Sequence, residues 1–453
     1  MAEHDPTTVP ARSKATPKPS AISRGRMILL FMVMLVTAAG NTAMQSVMPS
    51  IGTALQVNDV WISLAYTWSA LLWVICAPLW ARRSDQRGRK AMMAVGLMGF
   101  IVSMGLCGMV LWFGLKGLIP AAATLIMFAL ARSLYGGFGS AAPPAVQAYV
   151  AARTDRTERT RAMSLIASSF GLGTVIGPAV APLLVFPALG LTGPFIAFAA
   201  VGIATLIALR LRLPNDTPQF PARGSAYAAP YSTTSPEQGD SGDDTDAVSL
   251  TEPGKRMSGW RDPRTRPWVV SGLIGGHAQA MVLGISGFLV LDRLGLRETP
   301  ELGAGPVGIV LMCGAIATLL AQWGIIPNFH LGPRAASMSG IVISAIGTAF
   351  LAIADDLHSI ALAYSIATLG FGLFRPGNNA GASLAVDTHE QGEVAGVMAS
   401  IAGAAFIVAP ALGVWLYNTH ESFAFGSIIG LCAIVVIYGW SRLGNDDEMT
   451  SED

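Results

Sequence analysis

Long apolar runs alternate with short polar breaks along this chain, and most of the runs have similar lengths. A helix crossing about 30 Å of hydrocarbon at about 1.5 Å per residue needs about 20 mostly apolar residues. Runs of that kind lie at 27–48, 61–80, 91–113, 119–149, 162–184 and 193–211. A second set lies at 267–291, 306–326, 335–354, 358–386, 394–416 and 423–441. None shows the ~10-residue apolar/polar alternation of a membrane-barrel strand. The pattern predicts an all-α integral membrane fold with twelve transmembrane helices. A signal peptide over 1–43 competes for the first run, because small residues Ala38, Ala39 and Gly40 follow an apolar stretch. That stretch continues past Ala43 to Met48, which favours an uncleaved first helix.

The breaks sort the runs into two groups. Residues 1–26 form a tail, 27–211 a first six-helix bundle, 212–266 a linker, 267–441 a second bundle and 442–453 a second tail. Inside the linker, PARGSAYAAPYSTTSPEQGDSGDDTDAVS is rich in Pro, Ser, Gly and Asp and reads as a flexible connection. The halves echo each other weakly. In one register Gly137-Phe138-Gly139 falls on Gly370-Phe371-Gly372 and Pro143 on Pro376; in another, Gly88 and Lys90 fall on Gly332 and Arg334. Parallel-repeat transporters show such similarity, and chance matching in a glycine-rich apolar chain competes with it.

Composition narrows the class. Charged residues make up 13% of the chain, about half the ~25% of soluble domains, and apolar residues 52%. Disorder, a collagen repeat and a disulfide scaffold are excluded by the same figures. A net charge of +1 gives no reason to expect nucleic acid. Placement of the charges says more. Arg12, Lys14, Lys18, Arg24 and Arg26 precede the first run, and Arg82, Arg83, Arg87, Arg89 and Lys90 fill the second break. Arg153, Arg156, Arg159 and Arg161 lie in the fourth break, whereas the alternate breaks carry only Lys116, Arg293 and Arg297. This bias predicts a multi-pass inner-membrane protein with both termini and the linker in the cytoplasm. Cys76, Cys107, Cys313 and Cys432 are dispersed within apolar runs, so no disulfide framework or metal site is expected. No cofactor is expected, and the absence of a His/Glu cluster or nucleophile motif argues against an enzyme.

After the second run the chain reads Ala81-Arg82-Arg83-Ser84-Asp85-Gln86-Arg87-Gly88-Arg89-Lys90. This resembles the loop motif of the major facilitator superfamily, Gly-x-x-x-Asp-Arg-x-Gly-Arg-Lys. Asp85, Gly88, Arg89 and Lys90 match it; Ala81 and Gln86 depart from it. The chemistry suits a gate, since a carboxylate at a helix end pairs with cations and glycine permits a tight turn. Arg132, followed by Gly136, Gly137 and Gly139, is similar to a second motif of that family. Gly171-Leu172-Gly173-Thr174-Val175-Ile176-Gly177-Pro178 resembles the motif of its antiporter branch, with Ala181-Pro182 replacing the usual Gly-Gly. Gly173 and Gly177 share one helix face and allow a neighbour to approach closely, and Pro178 can kink the helix. The resemblance implies two six-helix bundles around a cavity with alternating access, lined by helices one, four, seven and ten. The twelve-helix drug:proton antiporters, tetracycline exporters among them, are the branch it resembles most.

Polar side chains are costly in lipid and are functional candidates by default. The runs contain two full charges, Arg132 and Arg375, and one histidine, His277. Asn41, Thr42 and Gln45 lie in the first run, Arg132 in the fourth, His277 and Gln279 in the seventh, and Arg375, Asn378 and Asn379 in the tenth. Those four runs are the ones the resemblance places around the cavity. Asn41, Gln45, Arg132, His277, Gln279, Arg375, Asn378 and Asn379 are therefore the substrate-binding candidates. Arg132 could equally be satisfied by backbone carbonyls, Arg375 could snorkel to a boundary, and His277 could be a neutral core residue. No Asp or Glu lies well inside a run; Asp85, Asp292 and Asp387 sit at edges. Proton handling is left to Arg132, His277 and Asp85, and two arginines without a buried acid favour a neutral or anionic substrate. The expected function is export of a small organic molecule in antiport with protons, by a protein acting as a monomer. An exporter or facilitator specific for an anionic metabolite, such as a carboxylate siderophore, is the alternative; a non-transporting receptor is a remote one.

Overall fold

The computed structural model describes residues 22–151, 153–154, 156–214, 262–386, 391–444 and 446. Among the described residues, twelve helices are long and apolar enough to cross a membrane. In chain order they are α1 (Arg24–Ala54), α2 (Asp59–Trp80), α3 (Arg89–Leu115), α4 (Ala121–Ala151), α5 (Leu165–Leu184) and α6 (Gly193–Arg212). The second set is α7 (Arg266–Arg293), α8 (Pro300–Phe329), α9 (Pro333–Ile353), α10 (Leu357–Leu384), α11 (Val394–Thr419) and α12 (Glu421–Arg442). Alternate crossings give the molecule two faces. The basic face carries the ends at Arg24, Arg89, Arg212 and Arg266, and the opposite face the ends at Ala54, Asp59, Arg293, Pro300 and Thr419. Most of the predicted linker and both tails lie outside the described residues.

Helix irregularities follow from proline. A proline lacks the N–H that would bond the carbonyl four residues earlier. In α4, Pro143 and Pro144 fall just after a 3-10 stretch at Gly139–Ala141. In α8, Pro327 follows a π-helical stretch at Leu320–Ile325. Pro376, alone in α10, leaves that helix continuous from Leu357 to Leu384. The Gly137/Gly370 register therefore does not extend to backbone form.

The Gly88/Gly332 register is supported by side chains. Lys90 Nζ donates to the Arg210 carbonyl at 3.0 Å, at the end of α6. Arg334 Nη2 donates to the Trp440 carbonyl at 2.8 Å, at the end of α12. Each half thus places a cation on the terminal carbonyls of its last helix, where the helix dipole is negative. Asp446 adds a cap that no local pattern signals, accepting bonds from the Arg334 and Ala335 amides at the start of α9.

Gly88 precedes α3 with φ 89° and ψ 141°, a region essentially reserved for glycine. Gly88→Ala is expected to destabilise the protein by about 1–3 kcal/mol. A thermal melt of the detergent-purified variant measures this, and an unchanged midpoint would count against a strained turn.

The halves meet closely toward the opposite face. A Cβ on Gly308 of α8 would lie 2.6 Å from the Pro178 carbonyl oxygen of α5, and one on Gly303 would lie 2.9 Å from Ser50 Oγ of α1. Gly287 of α7 packs against the Pro49 ring of α1. Small residues let backbones approach where apolar burial gives no driving force between helices.

Candidate functional site

Asn41 and Arg132 come from helices far apart in sequence and meet inside the N-terminal half. Arg132 Nη2 donates to Asn41 Oδ1, with Arg132 fully buried and Asn41 1% exposed. The guanidinium also lies over the Tyr135 ring, 4.3 Å from its centroid. Tyr135 packs against Trp73 of α2, at 5.2 Å between centroids, and Phe100 of α3, at 5.8 Å. An aromatic face attracts a desolvated cation, so the rings help hold a charge that lipid alone would reject. Close packing of α4 on α2 positions the group: Ser69 Oγ donates to the Arg132 carbonyl at 3.2 Å, and Gly136 abuts the Ser69 carbonyl. Gln45, one turn beyond Asn41, is half-buried.

The glycine motif of α5 packs on the same first helix. A Cβ on Gly173 would lie 2.7 Å from Ala38 Cβ, and one on Gly177 would collide with Thr42 Oγ1 and the Ala39 carbonyl. Thr42 Oγ1 donates to the Gly173 carbonyl at 3.3 Å. The same hydroxyl also reaches the Ala38 carbonyl of its own helix at 3.1 Å, one residue from the Asn41–Arg132 pair.

In the C-terminal half, Gln279, Arg375, Asn378 and Asn379 line one small cavity of about 20 Å³, enough for about one water molecule. Gly272 and Gly276 open its α7 wall, and Phe374 and Met398 supply apolar surface. Asn378 Nδ2 donates to the Trp268 carbonyl at 2.9 Å, which sets its amide orientation. His277 is not among the lining residues. It lies two positions from Gln279, on another face of α7, and its Nδ1 bonds the Leu273 carbonyl of its own helix at 2.7 Å. That bond requires the proton on Nδ1, leaving Nε2 as the acceptor in the neutral ring.

The loop motif separates into distinct tasks. Gly88 makes the turn, Lys90 caps α6, and Arg89 is buried at 1% exposure. Asp85 lies in the helix that continues α2 to Arg87, but its side chain is outside the described residues, as is Asp387.

A second charged site lies on the opposite face; in the sequence only Asp292 stands out from it, as an edge residue. Asp59, Asp292, Arg297, Tyr417 and Glu421 line an open depression of about 480 Å³. Burial works against the Arg297 charge, but hydrogen bonds to Asp292 and Asp59 outweigh it and raise the guanidinium above its usual range. No local pattern could have joined these residues, since Asp59 and Arg297 are 238 positions apart. Among the described residues no group of three His, Cys, Asp or Glu side chains is arranged to hold a metal.

Residues 30–410 match the family described as Major Facilitator Superfamily. A probable actinorhodin transporter of Streptomyces coelicolor is 30% identical over 193 residues, 41% of this chain and 31% of that protein. The staphyloferrin B transporter of Staphylococcus aureus is 26% identical over 186 residues, 40% of each chain. The chain thus spans well under half the length of these two relatives. The puromycin resistance protein pur8 of Streptomyces alboniger is 26% identical over 453 aligned positions, covering 92% of this chain and 85% of that protein. Among solved structures, a D-xylose–proton symporter superposes with a TM-score of 0.69 at 14% identity, covering 94% of this chain and 99% of that one, a likeness of fold.

Proposed function

This chain belongs to the major facilitator superfamily, and from that premise we propose that it exports a small organic molecule by alternating access, in antiport with protons. The observation that carries the reading is the Asn41–Arg132 pair. It sets a fully buried charge on two of the helices that the resemblance places around a cavity. A charge kept at that depth is costly and points to a transport path. Export is supported by the similarity to a puromycin resistance protein over most of both chains. The loop bias supports an orientation in the inner membrane with the basic face, both termini and the linker on the cytoplasmic side. On that orientation the closely packed opposite face is external and the protein is closed to the outside. Glycines 173 and 177 hold α5 to α1, and Lys90 and Arg334 fasten the last helix of each bundle. We place substrate contacts at Asn41, Gln45, Arg132, Gln279, Arg375, Asn378 and Asn379. Proton handling is assigned to Arg132, His277 or Asp85.

A specific observation favours a second reading, an exporter or facilitator of an anionic metabolite. Both full charges well inside the spans are arginines, the cavity lined by Arg375 contains no Asp or Glu, and a siderophore transporter is among the relatives. Guanidinium forks pair with carboxylates. Vesicles holding the purified protein, under an imposed pH gradient, separate the readings. Substrate-triggered proton leak is expected for antiport; transport indifferent to the gradient would sink it. Preference for carboxylates over cationic dyes is expected on the second reading, and the reverse order would remove it.

A further inference from the structure

Arg297 is shared between two carboxylates that belong to different halves of the molecule. Its Nη1 and Nη2 donate to the two Asp59 oxygens at 2.9 and 2.8 Å, and Nη1 also reaches Thr53 Oγ1 at 3.2 Å. Both of those residues are in the N-terminal half. On its other edge, Nε and Nη2 donate to the Asp292 oxygens at 2.6 and 3.0 Å, within its own half. A neutral donor also holds Asp292, with a separate ion-pair cluster beside it. Tyr417 of α11 donates to Asp292 at 3.0 Å, and Arg293 pairs with Glu421 of α12 at 2.6 Å and Asp355 at 2.8 Å. Asp59 is nearly buried, whereas Arg297 and Asp292 are about one-third exposed to the open depression.

We propose that Arg297 is the swing residue of a gate on this face, released by Asp59 and retained by Asp292 when the halves part. The inference rests on the alternating-access reading, because only a parting of the halves separates Arg297 from Asp59 while leaving Asp292 beside it. The two aspartates then have opposite effects. Asp59 stabilises only the closed face, since its contact crosses the interface. Asp292 partners Arg297 in both states, and in the closed state it also stands beside a second carboxylate, Asp59. Without Asp292, opening would strip Arg297 of its remaining partner, and closure would no longer bring two carboxylates together. Neutralising Asp59 should therefore open the face, and neutralising Asp292 should close it. Arg297 is a positioning residue in this scheme and touches no substrate.

Ser50 reports the state of the face. It is fully buried, and Gly303 of the other half lies against it. In protein with Cys76, Cys107, Cys313 and Cys432 replaced by alanine, Ser50→Cys would be labelled with a charged maleimide in detergent, without substrate or gradient. Asp59→Asn is expected to raise the labelling rate about ten-fold, and Asp292→Asn to lower it about five-fold, shifts in the range of charge-pair coupling. Joint exchange, Asp59→Arg with Arg297→Asp, should bring the rate down to or below that of the parent, because the cross-half pair is rebuilt with reversed polarity and opening would leave two carboxylates side by side at positions 297 and 292. Should an asparagine variant fail to fold, Arg297→Lys substitutes for it. Lysine cannot hold two carboxylates with a planar fork, so labelling should rise. Equal-direction effects of the two asparagines, or an unchanged rate in Arg297→Lys, overturn the gate. Labelling needs no transport, so opposed shifts without antiport would leave the gate standing and remove the antiport reading. Antiport without opposed shifts would do the reverse.

Discussion

Gly177→Leu is expected to destabilise the protein by about 3 kcal/mol or more and to abolish transport. Even a Cβ at this position collides with Thr42 Oγ1 and with the Ala39 carbonyl. The carbonyl is backbone and cannot swing away, so α5 must move off α1. That movement also breaks the bond from Thr42 to the Gly173 carbonyl and disturbs the neighbouring Asn41. Thermal unfolding of the purified variant should show a midpoint lower by on the order of 3 °C or more. Gly105→Ala in α3 is the control, because nothing lies within 4 Å of a Cβ there. It should melt like the parent or slightly higher, since alanine favours helix over glycine by about 1 kcal/mol. A Gly177→Leu protein that melts and transports like the parent would show that the packing of α1 on α5 is not needed.

Arg132→Ala carries the second large expectation, a loss of export of about 30-fold or more with the protein still folded. A hydrogen bond to a charged group contributes about 1.5–3 kcal/mol, and its loss leaves Asn41 Oδ1 buried without this donor. Arg132→Lys should recover little, because an ammonium lacks the planar fork and stacks poorly over Tyr135. Asn41→Asp tests the same pair from the other side. A carboxylate there would neutralise the guanidinium, so selectivity should move from anionic toward cationic compounds. Initial efflux rates for a matched anionic and cationic dye provide the measurement. Unaltered export by Arg132→Ala would make the arginine structural. An unaltered dye ratio in Asn41→Asp would remove charge as the basis of selection.

Much of the fold was legible because its determinants are local. Each span is a run of apolar residues set by membrane thickness, and all twelve runs appear as helices with shifted ends. The shifts have simple causes: α1 runs on through Pro49 to Ala54, and α8 starts at Pro300, where proline suits a first turn. The faint repeat between Gly88–Lys90 and Gly332–Arg334 also had content, since Lys90 and Arg334 cap equivalent helices. The site was legible only as a set of helices. That Asn41 meets Arg132 depends on how α1 and α4 are rotated, and that His277 faces away from Gln279 follows from their two-residue spacing.

By itself the sequence determined the class of the protein, the number of crossings, the basic asymmetry of the loops and the motifs that resemble a transporter family. These depend on hydrophobic length and nearest-neighbour chemistry, which are written along the chain. Tertiary structure alone decided which polar groups share a partner. Asn41 and Arg132 are 91 positions apart, and Asp59 and Arg297 are 238 apart. Such pairs form only when packed helices bring groups within hydrogen-bonding range, and in a membrane that packing is selected by shape and small residues rather than by apolar burial.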